Sequence, residues 1–174
     1  MRSVRVSRVI MAGFVATLVM TLLIYAAPLL GMPKIDFAAL LGSLFAAPGQ
    51  GLEAAPTPAP GTDLWWIGMG IQFLNGSLIF PLIYAYVLYP ILSGAPWWKG
   101  FQWGLILWVL SQIMIMPLLG LGFFSARVAQ PMLAVIGSFI GHAVYGILLG
   151  ALAGPQTPVR QRRRQEEPTY ASRR

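Results

Sequence analysis

The stretch Gly-Ser-Phe-Ile-Gly-His-Ala-Val-Tyr-Gly, residues 137–146, lies in the last long apolar run of the chain and contains its only histidine, His142. A polar side chain buried in hydrocarbon without a partner is costly, so a lipid-embedded helix must turn this imidazole toward other helices. Glycines at four-residue spacing let helix backbones approach closely in lipid. Such glycines flank the histidine on both sides: Gly137, Gly141, Gly146, Gly150 and Gly154. The stretch therefore predicts a membrane helix that other helices surround.

The composition excludes several classes of chemistry. Of the 174 residues, 57% are hydrophobic and 10% are charged, whereas soluble domains carry about 25% charged residues. The absence of cysteine excludes disulfides, thiolate metal sites and iron–sulfur clusters. Asp36, Glu53 and Asp63 lie outside the apolar runs, so catalysis by paired carboxylates or by a Ser-His-Asp triad has no buried acid. An enzymatic function is therefore disfavoured.

Four apolar runs predict an all-α fold, an integral membrane four-helix bundle. At about 1.5 Å per residue, each run is long enough to cross about 30 Å of hydrocarbon. Pro81 predicts a kink near Ser77 in the second span, made tolerable by neighbouring helices. The predicted spans, in a single membrane domain over residues 1–154, are residues 9–30, 64–88, 100–119 and 132–154.

The connection between the first and second spans is predicted to contain one more helix. Asp36 is a suitable N-cap for the apolar residues 37–45, which are too few to cross a membrane. This helix should lie in the membrane interface or against the bundle. Residues 47–62 are rich in proline and glycine and predict an extended linker. Residues 155–174 predict a disordered, basic cytoplasmic tail.

The positions of the charges predict the orientation of the chain. The formal net charge is +7, and ten of the twelve lysines and arginines fall on one side if the number of spans is even. Positive residues concentrate on the cytoplasmic side, so both termini are predicted to be cytoplasmic in a bacterial inner membrane. This topology, with some affinity for anionic lipid, explains the arginine-rich tail. Nucleic-acid binding is not expected.

Two pairs of short matches suggest a tandem duplication of a two-span unit. Pro-Leu-Leu-Gly ends the first span at residues 28–31 and the third span at residues 117–120. A polar-x-x-polar-Gly sequence follows within the next span, at residues 72–76 and at residues 142–146. Tandem units of this kind would be related by an axis along the membrane normal. Chance similarity among common membrane residues is the alternative explanation.

Every span places polar side chains at a similar depth, which predicts one polar layer near the bilayer centre. By helical rise, His142 lies about 16 Å from the start of its span, and the polar residues of the other spans reach a comparable depth. We expect the imidazole to bond with Tyr145, Gln72, Asn75 or Ser111. The candidate site residues are His142, Tyr145, Ser138, Gln72, Asn75, Ser111, Gln112, Thr17 and Thr21.

Three roles for this layer follow from the residues. In the first, the protein is a non-enzymatic structural or accessory subunit whose polar layer either ties helices together or binds a small ligand. In the second, His142, Gln72 and Asn75 line a transport or proton-conducting path. In the third, His142 holds haem or a quinone. A membrane b-type haem usually needs two axial histidines, which this chain supplies only as a homodimer, and no carboxylate lies in any span to complete a metal site.

No cofactor is therefore expected, and the expected partners are the lipid bilayer and either a second copy of the chain or a larger membrane complex. The pattern Gly-His-x-x-Tyr-Gly-x-x-x-Gly, residues 141–150, resembles that of small four-span bacterial membrane proteins of unknown function. The resemblance extends to the Pro-Leu-Leu-Gly ends and to Asn75-Gly76, and it implies no activity. It also implies a histidine in the second span, where this chain has Gln72, and this departure disfavours a two-histidine metal site.

Overall fold

The computed structural model describes residues 5–46 and 57–155, and in these ranges the chain is helical and contains no strand. Four helices are long and apolar enough to cross a membrane. The prediction of an all-α chain with four such helices is confirmed. They are α1 (Val6–Leu30), α3 (Asp63–Leu88), α4 (Pro96–Leu118) and α5 (Pro131–Ala153), and a short helix, α2 (Phe37–Ser43), lies between the first two.

Most of the predicted linker and nearly all of the predicted basic tail lie outside the described residues. The third long helix begins at Pro96 rather than near Gly100 as the sequence analysis predicted. Proline is favoured in the first turn of a helix because its missing N–H has no partner there. Trp97 and Trp98 therefore belong to the first turn of α4.

The helix α5 lies between α1 and α4 and packs along both. The helix α3 packs on α1 and approaches α4 mainly through its last turns, Tyr84–Leu88. We call the end where α1 and α4 begin the termini end, and the opposite end the loop end. At the termini end, Arg8 Nε donates to the carbonyl oxygen of Leu152, 2.8 Å away, which ties the first helix to the last.

The core of the bundle combines small residues with a few large aromatic ones. Val9 and Ala16 of α1, Tyr84 of α3, Trp103 of α4 and Leu149 of α5 belong to one buried cluster. Large apolar side chains elsewhere on the four long helices are exposed. An apolar exterior around closely packed small residues is the pattern of a helix bundle in lipid, where packing rather than hydrophobicity drives association.

Glycines bring α4 and α5 into backbone contact. A Cβ atom at Gly104 would overlap the carbonyl oxygen of His142, and one at Gly146 would overlap the carbonyl oxygen of Gly100. A Cβ atom at Gly150 would overlap the carbonyl oxygen of Pro96. Three successive turns of this antiparallel pair therefore depend on the absence of side chains.

Three wide turns of π-helix interrupt α3 and α4, and a proline follows each of them. The turns are Asn75–Ile79, Tyr84–Leu88 and Ser111–Ile115, and the prolines are Pro81, Pro90 and Pro117. A proline ring clashes with the carbonyl one turn earlier in an α-helix, and a π turn displaces that carbonyl. The first π turn contains Ser77, where a kink was predicted, whereas the other two were not predicted.

The two Pro-Leu-Leu-Gly sequences close their helices in the same way. Gly31 and Gly120 have φ angles of 77° and 78°, which favour glycine. Gly31 N donates to Pro28 O over 3.1 Å, and Gly120 N donates to Pro117 O over 3.0 Å. Met32 N then donates to Ala27 O, and Leu121 N donates to Met116 O. Each pair of bonds forms a Schellman C-cap.

The short helix α2 is held at the loop end by Asp36. Its Oδ1 atom accepts the N-cap hydrogen bond from Ala39 N at 3.0 Å, as the sequence predicted. The same oxygen accepts from Tyr25 Oη at 3.0 Å and from Trp65 Nε1 at 3.1 Å. One carboxylate thus joins α1, α2 and α3. The first turns of α3 pack so closely on α2 that a Cβ atom at Gly68 would overlap the carbonyl oxygen of Ala38.

Candidate functional site

The imidazole of His142 is half-buried on α5, and its Nδ1 atom lies 2.8 Å from the carbonyl oxygen of Ser138. A carbonyl oxygen only accepts, so this contact assigns the proton to Nδ1. In the neutral ring the other nitrogen, Nε2, is then an acceptor with a free lone pair. Within the described residues no protein donor bonds to Nε2. The site therefore presents one unused acceptor.

A chain of neutral side chains connects this residue to the loop end. Gln112 Nε2 on α4 donates to Ser138 Oγ at 3.0 Å, and Ser138 Oγ lies 3.5 Å from His142 Nδ1. Ser125 Oγ donates to Gln112 Oε1 at 3.4 Å. Gln112 is 0% exposed and Ser125 is 1% exposed. We call these four residues the histidine chain; it ties α4, the short turn Phe123–Ser125 and α5 together.

The turn that carries Ser125 has an unusual backbone. Phe124 and Ser125 have φ angles of 49° and 55°, and L-residues rarely adopt such values in succession. This conformation brings the Ser125 hydroxyl within hydrogen-bond distance of Gln112 Oε1. The side chains of the neighbouring Phe123 and Phe124 are exposed. The sequence carries no glycine at either position and gave no signal for this turn.

A second set of polar contacts joins α1, α3 and α5. Tyr145 Oη donates to the carbonyl oxygen of Gly76 at 2.7 Å, and Gln72 Nε2 donates to Thr21 Oγ1 at 2.8 Å. Thr17 Oγ1 donates to Gly13 O on its own helix at 2.8 Å. A Cβ atom at Gly76 would overlap the Thr17 hydroxyl. We call this set the tyrosine set.

The π turn explains why Tyr145 reaches a backbone carbonyl. Phe80 N donates to Asn75 O, five residues earlier, so it is not available to Gly76. The next residue, Pro81, has no N–H. The carbonyl oxygen of Gly76 is thereby left without a ladder partner, and the tyrosine hydroxyl satisfies it from another helix. This is how polar side chains make proline tolerable in a membrane helix.

Seven of the nine predicted site residues belong to one of these two groups, and Ser111 and Asn75 belong to neither. His142, Ser138 and Gln112 belong to the histidine chain, and Tyr145, Gln72, Thr17 and Thr21 belong to the tyrosine set. Ser111 Oγ donates to Trp108 O on its own helix at 2.7 Å. Within the described residues the Asn75 side chain, which is half-buried, has no hydrogen bond.

The partners expected for His142 were wrong. Its partner is Ser138, one turn earlier on the same helix, because that carbonyl is already within reach of Nδ1. Tyr145 is drawn away by the unpaired carbonyl of Gly76. Two contributors were missed: the Ser125 hydroxyl and the Gly76 carbonyl. Pro81 was a usable signal for the second, because a proline in the interior of a helix leaves a carbonyl without its backbone donor.

A family model described as a family of unknown function, DUF6789, matches residues 1–163. The chain belongs to this family. No curated protein and no solved structure matches the chain. The resemblance to a family of unknown function is therefore confirmed, and family membership assigns no substrate or partner to the two groups of polar residues.

Within the described part of this DUF6789 chain, the two groups of polar residues consist of neutral hydrogen-bonding side chains. That part of the chain has no cluster of three His, Cys, Asp or Glu side chains for a metal ion. Buried atoms left without partners within the described residues are Gln72 Oε1, Ser77 Oγ, Trp103 Nε1 and Trp108 Nε1. These are neutral donors and acceptors. The middle link of the histidine chain is an amide, which does not titrate near neutral pH, so this chain of bonds is not a continuous proton relay.

Proposed function

We propose that the protein is a multi-pass protein of the bacterial inner membrane with both termini in the cytoplasm. The four apolar helices with exposed apolar faces support a membrane location. Arg5, Arg8 and Lys99 lie at the termini end, whereas Lys34 and Arg127 lie at the loop end. In the sequence an arginine-rich tail follows α5, which ends at the termini end, and positive residues favour the cytoplasm.

Cysteine labelling tests this orientation, because the natural chain contains no cysteine. Ser93 at the termini end and Ala126 at the loop end are both exposed, so Ser93→Cys and Ala126→Cys form a matched pair. On intact cells with an opened outer membrane, a membrane-impermeant maleimide should label Ala126→Cys and leave Ser93→Cys unlabelled. Ser93→Cys should react once the inner membrane is made permeable. Labelling of Ser93→Cys alone on intact cells would reverse the proposed topology.

Within that membrane, the protein acts as a non-enzymatic accessory or structural subunit. The observation that carries this proposal is Gln112, a wholly buried amide that bonds to Ser138 on α5 and to Ser125 near the loop end. Both of its bonding groups are used to hold elements of the same chain together. Buried amides satisfied in this way stabilise a bundle.

One acceptor atom of the histidine chain remains available to a ligand or to a partner protein. His142 Nε2 has no protein donor within the described residues, so a small ligand or a partner chain would meet it with an O–H or N–H group. Haem binding has less support, since a single histidine supplies one axial ligand per chain. We assign His142 to ligand or partner binding and Gln112 to stabilising the bundle.

Substitution separates the two assignments. Gln112→Leu removes the acceptor of the Ser125 hydroxyl and the donor to Ser138 Oγ, and should lower the free energy of unfolding in detergent by about 1–2 kcal/mol. His142→Leu should lower it by about 0.5 kcal/mol or less, because the hydrogen bonds of the imidazole lie within one helix turn.

The binding assignment is read from protein extracted in mild detergent, by native mass spectrometry. The wild type and Gln112→Leu should retain the same bound molecule or subunit, and His142→Leu should lose it. A greater loss of stability in His142→Leu than in Gln112→Leu would make the histidine a structural residue. No bound species in the wild type would contradict the binding role.

A further inference from the structure

A separate cavity of about 520 Å³ lies at the loop end, where three segments of the chain converge. One wall is the start of α2 with the residues that precede it, a second is the segment before α3, and the third is the connection between α4 and α5. Pockets for small ligands in proteins commonly enclose about 300–1,000 Å³. The residues around it include Lys34, Asp36, Leu40, Pro58, Leu121 and Val128.

The cavity carries one positive and one negative side chain that do not pair with each other. Lys34 is exposed and has no hydrogen bond or ion pair within the described residues. Asp36 is half-buried, and its Oδ1 atom accepts three hydrogen bonds. Its Oδ2 atom shares a single donor, Trp65 Nε1, at 3.0 Å. A carboxylate offers about four acceptor positions, so Oδ2 can accept further donors from a ligand.

The rest of the lining is almost wholly apolar, and exposed apolar residues lie close in sequence to lining residues. Leu29 and Leu30, shortly before Lys34, are 87% and 79% exposed. Phe123, shortly after Leu121, is 65% exposed. A ligand that fits both features carries a positive and a negative group at one end and hydrocarbon at the other. Phospholipids with a zwitterionic headgroup have this construction.

We propose that this cavity binds the headgroup of a phospholipid that carries a primary ammonium, with the ammonium at Asp36 and the phosphate at Lys34. A primary ammonium has three N–H donors, which suit the unused positions of Oδ2. A quaternary ammonium has no N–H to donate. The proposal rests on the membrane location proposed above, which the labelling experiment tests independently.

Native mass spectrometry of delipidated protein in detergent tests the site. Phosphatidylethanolamine, phosphatidylcholine and phosphatidylglycerol are added in turn at equal concentration. Binding of phosphatidylethanolamine should exceed that of the other two by about fivefold, the factor that corresponds to an exposed ion pair near its upper strength. Lys34→Gln and Asp36→Asn should each reduce its binding by about fivefold. Asparagine is as good an N-cap as aspartate, so α2 is retained.

The loop end supplies matched controls. Arg127→Gln and Asp63→Asn remove one charge of each sign from that end without changing the cavity lining, and lipid binding should be unaltered. Equal binding of phosphatidylcholine or phosphatidylglycerol, or an equal loss in Lys34→Gln and Arg127→Gln, would overturn the proposal. Soluble phosphoethanolamine should not displace the lipid; displacement would show a site for the free headgroup. If the labelling experiment confirms the topology but the protein does not prefer phosphatidylethanolamine, only the lipid site is contradicted and the membrane location stands.

Discussion

The two helix pairs of this bundle achieve close contact by different means. Where α4 meets α5, both surfaces are glycine, and Gly100 and Gly104 lie against Gly146 and Gly150. The contact is between backbones, and side chains enter only at its edges. Such a surface specifies one distance and one crossing, because any added atom meets backbone.

Where α1 meets α3, each helix contributes a glycine that faces a side chain of the other helix. Gly76 lies against the side chain of Thr17, and Pro81 lies against Gly13. The turn of α3 at this point is a π turn with an unpaired carbonyl, and Tyr145 of α5 satisfies it. The α1–α3 pair therefore depends on a third helix for a hydrogen bond, whereas the α4–α5 crossing is a contact between glycine backbones.

This comparison also bears on the proposed tandem duplication, which stays a prediction. Both halves close a helix with the same glycine-dependent C-cap, at Gly31 and at Gly120. Both place the glycine of the polar-x-x-polar-Gly match, Gly76 or Gly146, at the crossing with the preceding long helix. The halves differ in what meets that glycine, a threonine in one and two glycines in the other.

The largest expected effect is at the crossing of α4 and α5. In Gly146→Ala, the new methyl group would overlap the carbonyl oxygen of Gly100 and would lie 2.9 Å from the Gly104 backbone. Backbone cannot rotate aside, so the helices must separate. We expect the free energy of unfolding in mixed micelles to fall by about 2–3 kcal/mol.

Gly70→Ala is the matched control on α3. A Cβ atom at Gly70 meets nothing within 4 Å, and alanine favours a helix over glycine by about 1 kcal/mol. This variant should be unchanged or slightly more stable. Equal stability of Gly146→Ala and Gly70→Ala would mean that the backbone contact between α4 and α5 does not hold the pair together.

The sequence was sufficient for the helices because lipid imposes a simple rule: a spanning segment must be long, apolar and internally hydrogen-bonded. Four runs satisfy it, and residues 5–46 and 57–155 contain four helices long and apolar enough to span. Asp36 as an N-cap was also predictable, since capping depends on local residue types. The early start of α4 at Pro96 was missed because tryptophan is typical both of interfacial loops and of helix ends.

The site was predicted less well because hydrogen bonds depend on tertiary distances. Three of the candidate residues, Gln112, Gln72 and Tyr145, each bond across helices. Depth along a span was a poor guide to partners, because residues at one depth face different neighbours. Glycines Gly100 and Gly104 were overlooked, although their spacing matches that of the glycines noticed on α5.

A smaller effect is expected at the crossing of α1 and α3. Tyr145→Phe removes only the hydroxyl that donates to Gly76 O. The carbonyl is then buried without a donor, which should lower the free energy of unfolding by about 1–2 kcal/mol. The same micelle unfolding experiment measures it. A change smaller than its error would mean that water or another group satisfies the carbonyl.

A second substitution, Pro81→Ala, sharpens this test. Alanine restores an N–H at position 81, so the wide turn can pair it with Gly76 O. If the turn instead relaxes to an α-helix, Phe80 N takes the same carbonyl. In either case the carbonyl of Gly76 has a backbone donor and no longer needs the hydroxyl of Tyr145. Tyr145→Phe should therefore lower the free energy of unfolding by about 1 kcal/mol less in the Pro81→Ala background than in the wild type. If the effects of the two substitutions on the free energy of unfolding are additive, the proline does not cause the tyrosine contact. The α1–α3 and α4–α5 pairs would then differ only in the residues that meet at their crossings.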